Sequence, residues 1–147
     1  MENKQETRKL NMTDFAHHWC TSGYTHWSPI MPRCLATSGA VDVAERLQCW
    51  WLLDAIGSYQ GEILSGKYGP LLTQIQFWTL HIDQEGRGAS LVCQEDSDRA
   101  PSITQEIPFT DITEYFSDPE IKMWVGVQKM WGDDPRDYSI LYLPSEH

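Results

Sequence analysis

The chain has 147 residues, 41% of them apolar and 22% charged, with a formal net charge of −10. That length suits one domain with its own core, and that composition excludes a disordered tail. The apolar run at residues 50–53 is far too short to cross a bilayer, so no membrane contact is expected. The charge is uneven. From residue 83 on there are 14 acids against 5 Lys/Arg, and before it 7 acids against 6. An acidic second half argues against direct nucleic-acid binding, since phosphate contact needs a basic face, and fits a basic protein partner better. The alternative is that the charge only keeps the chain in solution.

Residues 1–12 are polar and show no apolar period, so a flexible arm is expected. They lack the apolar region of an export signal, which makes the cytoplasm the expected location. Residues 13–36 are aromatic and punctuated by Gly23, Pro29 and Pro32, which rules out a long helix. We expect a short helix over 13–20 and then an irregular aromatic wrap packed on the domain. His17, His18, Cys20, His26 and Cys34 can all ligate zinc, yet their spacing matches no standard site. Neighbouring histidines on a regular helix do not converge on one ion, so the stretch reads as packing, with no metal and no cofactor. The four cysteines, Cys20, Cys34, Cys49 and Cys93, are widely spaced and read as reduced thiols.

Residues 37–60, "TSGAVDVAERLQCWWLLDAIGSYQ", predict a helix with Ser38 as N-cap and Asp42 and Glu45 near the positive end of its dipole. Ala40, Ala44, Leu47 and Trp51 form one stripe, and Leu52, Ile56 and Tyr59 a second, so the helix is expected to be buried. Gly57 and Gly61 are natural stops. On a continuous helix Asp54 projects between Leu47 and Trp51, into apolar surroundings. A buried carboxylate needs a partner, and we expect an indole N–H, the Ser58 hydroxyl or a loop N–H. Asp54 and Ser58 are therefore read as structural buried polar groups; the alternative is an acid of raised pKa on a pocket floor.

After a glycine-rich loop over 61–73 the period changes. Residues 75–83, 88–95, 103–111, 121–130 and 138–143 read as short strands. Ile121, Met123, Val125 and Val127 alternate with Lys122, Trp124 and Gln128, the pattern of a half-buried strand. Short links predict an antiparallel meander of about five strands over 75–143, one face covered by the helix. The fold class is a single α+β domain. Pro108 cannot donate to a central ladder, so its strand is expected at an edge. Pro108, Phe109, Trp124 and Trp131 are the interface candidates, Trp124 because it shares parity with the polar positions.

Four stretches carry a resemblance: "WLLDAIGSYQ" (51–60), "IQFWTL" (75–80), "TQEIPFTDI" (104–112) and "LYLPSEH" (141–147). In this order they resemble a family of small bacterial proteins of unknown function over residues 24–147, although 116–137 is longer than the usual connection. The family occurs in bacterial genomes, plasmids and phages, which implies an accessory role, including on mobile elements. It implies no catalytic residue.

At the end of the chain Ser145, Glu146 and His147 invite a catalytic reading, but sequence neighbours do not assemble a triad. Glu146 and Ser145 are expected to close hydrogen bonds at the sheet's end or to cap the helix. No phosphate loop, G-x-S-x-G elbow or H-E-x-x-H pair occurs. The expected function is a non-catalytic interaction module with a protein partner. The alternatives are an acidic inhibitor or nucleic-acid mimic blocking a basic protein, and a small metal-dependent or acid/base hydrolase.

Overall fold

Residues 37–60 do not form one rod. The structure, a computed structural model, describes residues 8–19 and 23–147, and it divides this stretch into α1 (Ser38–Arg46), α2 (Trp50–Ser58) and the short α3 (Gln60–Leu64). The break is at Gln48, whose φ of 55° is left-handed. There the Cys49 N–H returns to the Ala44 carbonyl at 2.9 Å, closing the end of α1. Thr37, not Ser38, caps α1, its hydroxyl accepting from the Ala40 N–H at 3.2 Å. Gly57 is not a stop either. It is buried inside α2, where an added Cβ would lie 2.6 Å from the Met31 sulfur, so the missing side chain admits the aromatic wrap.

The sheet has seven strands: β1 (Tyr24–Thr25), β2 (Cys34–Thr37), β3 (Ile75–Ile82), β4 (Ala89–Gln94), β5 (Ile103–Ile107), β6 (Glu120–Lys129) and β7 (Asp137–Tyr142). Their spatial order is β1-β2-β7-β6-β3-β4-β5. The five predicted strands pair antiparallel, and β3, β4 and β5 run as a meander. The meander then stops. The chain crosses from β5 to the far side of β3, where β6 pairs, so the prediction of about five consecutive strands is corrected to seven in a reordered sheet. The crossing segment buries Ile112 and Phe116 in the core, which anchors a connection that on sequence alone reads as a plain link. The same segment holds residues 8–12, expected to be free: the Leu10 N–H donates to the Tyr115 carbonyl and the Ser117 N–H to Leu10, both at 2.8 Å. The rest of the expected arm, 1–7, lies outside the described residues.

The wrap is not wholly irregular. It supplies β1 and β2, and β2 lies parallel to β7, Leu35 opposite Ile140. All four β2 residues are buried, and a strand buried on both faces shows no alternation to read. β5 is an outer strand, as expected, although it ends at Ile107 and Pro108 lies just beyond its ladder. The helices cover one face, where Ala44, Leu47, Leu53 and Ile56 join Trp78, Leu80, Met123, Val125 and Leu141 in one core. Among the described residues no helix is long and apolar enough to cross a membrane.

Candidate functional site

The chain's end is structural. Pro144–Glu146 forms a 3-10 turn that aims Glu146 at the start of α1. Its carboxylate accepts from the Thr37 hydroxyl (2.7 Å), the Gly39 N–H (3.2 Å) and the Leu143 N–H (2.9 Å). A Cβ on Gly39 would sit 2.6 Å from that carboxylate, so glycine is needed for the approach. The Ser145 hydroxyl donates to the His18 carbonyl at 2.6 Å, and His147 Nδ1 lies 2.9 Å from the Tyr142 hydroxyl. Ser145, Glu146 and His147 thus point to three different partners.

Asp54 is corrected. It is exposed, and so is Ser58. The break at Gln48 resets the helical phase, so an angle counted from Leu47 no longer holds. Asp54 still has one of the expected partners, accepting from the Trp27 indole N–H at 2.9 Å. The Ser58 hydroxyl donates to the Ala55 carbonyl instead.

A buried polar network that the sequence reading missed lies between helix and sheet. Gln60 and Gln76 exchange amide hydrogen bonds at 2.9 Å in both directions. Trp78 Nε1 donates to Gln76 Oε1 at 2.8 Å, and the Ser139 hydroxyl to Gln60 Oε1 at 2.9 Å. The amides also reach the carbonyls of Ile56 and Leu72. Gln76 shares parity with Trp78 and Leu80, so a polar residue on the core face was the available signal. Gln60 ends one quoted stretch of the resemblance and Gln76 is the second residue of another, which gives both a packing role.

The histidines and cysteines scatter. Cys34 is buried in β2, and burial pushes its thiol up to about 11; Cys49 and Cys93 are pushed up to about 12 by the same cause. His26 stacks near Trp131, and Cys20 lies outside the described residues. Among the described residues only His17 and His18 meet, and they do so at Asp42, with which the sequence had not grouped them.

The other face of the sheet carries no helix among the described residues and holds an aromatic ridge. Trp124 stands on it, edge-on to Phe77 (4.9 Å between ring centroids), Tyr142 (6.2 Å) and His147 (5.5 Å). Cross-strand register builds the ridge, with Phe77 opposite Trp124 and Trp124 opposite Tyr142. Burial raises the Tyr142 pKa, so its phenol stays neutral. On one side lies a groove of about 400 Å³, walled by Thr79, His81, Gln94 and Asp96. On the other lies one of about 340 Å³, walled by Tyr24, Ile75, Ile140 and Glu146. Trp131, 48% exposed, packs edge-on against Tyr138 of β7 at 4.8 Å. Pro108 and the 67%-exposed Phe109 are at the far end of β5, away from the ridge. Two of the four interface candidates therefore share a face and two do not.

Residues 7–147 match the model of a family of unknown function, DUF6876. The chain belongs to that family. No curated protein and no solved structure matches it. In this DUF6876 member the four quoted stretches map onto α2–α3, β3, the β5 edge with the turn after it, and the C-terminal cap. None of them supplies the centre of the ridge, Trp124.

Proposed function

We propose that this chain is a non-catalytic protein-interaction module that docks a basic, extended segment of a partner protein across the helix-free face of its sheet. The observation that carries the reading is Trp124, half-buried among three aromatic neighbours and flanked by two grooves. Rigid aromatics with a neighbouring pocket on each side are the usual anchors of a protein interface. The charge argues for the occupant. Asp96 borders one groove, where Glu120 is paired with Lys122, and Glu146 borders the other, on a chain of net charge −10, which attracts a cationic segment. A role as an accessory protein, including on a mobile element, is what the resemblance adds.

Nucleic-acid mimicry fits less well. A mimic needs a row of free carboxylates, whereas Glu95, Glu114, Glu120, Asp134 and Asp137 each have a Lys or Arg nitrogen within 3.8 Å. The test is a photo-crosslinking residue placed at His81 or Gln128, both exposed on the ridge face, and at Glu62 on the helix side as control. In native cells the two face positions should capture a Lys/Arg-rich segment of one protein, and Glu62 should not. Capture from Glu62 alone, an acidic captured segment, or no capture from the face refutes the reading.

A further inference from the structure

On a regular helix adjacent side chains splay by about 100°. His17 and His18 are not on one. The 3-10 turn Met12–Phe15 ends just before them, and the His18 N–H donates back to the Phe15 carbonyl at 3.1 Å. The turn brings both rings, centroids 4.1 Å apart, against Asp42 on α1. His18 Nε2 lies 2.9 Å and His17 Nε2 3.8 Å from the same oxygen, Asp42 Oδ2. One ligand atom from each of the three residues falls within 4.8 Å of the others.

We propose that His17 Nε2, His18 Nε2 and the Asp42 carboxylate form a site for a divalent transition-metal ion of the zinc class. Two imidazoles and one carboxylate suit Zn²⁺, Co²⁺ or Ni²⁺ and reject Mg²⁺ and Ca²⁺, which take oxygen ligands. A tetrahedral ion with bonds of about 2.0–2.2 Å holds its ligand atoms roughly 3.4 Å apart. The His18–Asp42 pair need open by only about half an ångström to admit it, and the His17 distance is already close. Asp42 sits on a helix, and the His18 backbone is held by Ser145, so two of the three ligands are preorganised. His17, with 62% of its side chain exposed, is free to adjust.

One cation already competes: Arg46 Nη1 is 3.5 Å from Asp42 Oδ2. It also reaches the Asp14 carbonyl at 3.5 Å and stacks on Phe15 at 5.0 Å, so it can yield the carboxylate without losing every contact. His18 and Asp42 also line a groove of about 530 Å³ with Tyr24 and Glu45, which leaves room beside them for water or a partner's ligand. An ion bound here staples the N-terminal turn to α1. This inference is independent of the ridge.

The experiment adds Zn²⁺, Co²⁺ or Mg²⁺ to chelator-treated full-length protein and follows calorimetry, the visible spectrum of Co²⁺ and thermal melting. One equivalent of Zn²⁺ should bind with a dissociation constant on the order of micromolar. At about 100 times that concentration Tm should rise by roughly 5–10 °C. Mg²⁺ should change nothing. H17A, which alters an exposed side chain, and D42N should each weaken Zn²⁺ binding at least about tenfold, while R46Q should tighten it. The metal-free melts of all three variants establish that they fold. No Zn²⁺ uptake by wild type overturns the proposal. So does wild-type affinity in both H17A and D42N, including binding that disappears only in C20S.

Discussion

Replacing Gln76 with leucine tests whether the buried amide pair is a network or a set of independent contacts. The side chain is fully buried and leucine nearly matches its volume, so the cost is that of the abandoned partners. Trp78 Nε1 would be the main loss, since it donates to Gln76 and the ring is fully buried. A buried donor left unpaired costs about 1–3 kcal/mol. The Leu72 carbonyl loses its bond from the Gln76 amide, and the Gln60 side chain loses two but keeps those to the Ile56 carbonyl and from the Ser139 hydroxyl, adding less, and the new apolar surface offsets part. We expect Q76L to lose about 2–3 kcal/mol, a fall in Tm of roughly 5–10 °C for a domain of this size. Urea unfolding followed by tryptophan fluorescence and by circular dichroism measures it. In a W78F background the orphaned donor is gone, so Q76L should cost about 1–2 kcal/mol less there. An equal cost in both backgrounds, or a loss below about 0.5 kcal/mol, would refute the network.

D54L should cost less than about 1 kcal/mol, because an exposed indole N–H released from Asp54 finds water; a loss of 2 kcal/mol or more by the same urea assay would mean the contact is drier than its exposure implies. E146A should cost about 1–3 kcal/mol through the unpaired Thr37, Gly39 and Leu143 donors. The cost of G39A should then fall in an E146A background, where the obstructing carboxylate is absent, and an unchanged cost would discount the clash. Arg8, followed by the Asn11 N–H, holds the Asp14 carboxyl down to about 2. Its contribution is therefore present above the usual carboxylate range near pH 4 and is lost as pH falls toward 2. The stability gap between wild type and D14N should close over that window in acid titrations monitored by circular dichroism. A gap that persists at pH 2 would exclude the Arg8–Asp14 pair as its source.

The five strand segments and the α+β class were legible because each depends on local pattern. Alternation along β6 marks a strand, and Pro108 marks where β5 ends, at Ile107. Sites were less legible. The parity of Trp124 could be read from its neighbours, but its companions Phe77 and Tyr142 come from other strands through register. Asp42 lies 24 residues beyond His18, and nothing in the intervening sequence joins them.

By itself the sequence determined where the apolar faces are, because hydrophobic period follows directly from backbone geometry. It did not determine the phase of α2, since one left-handed residue at Gln48 rotates everything after it and removes Asp54 from the core. Nor did it determine strand order: β6 beside β3 and β2 parallel to β7 depend on which faces can be buried together across long chain separations. Those pairings are free-energy choices of the whole chain, and only the tertiary structure makes them.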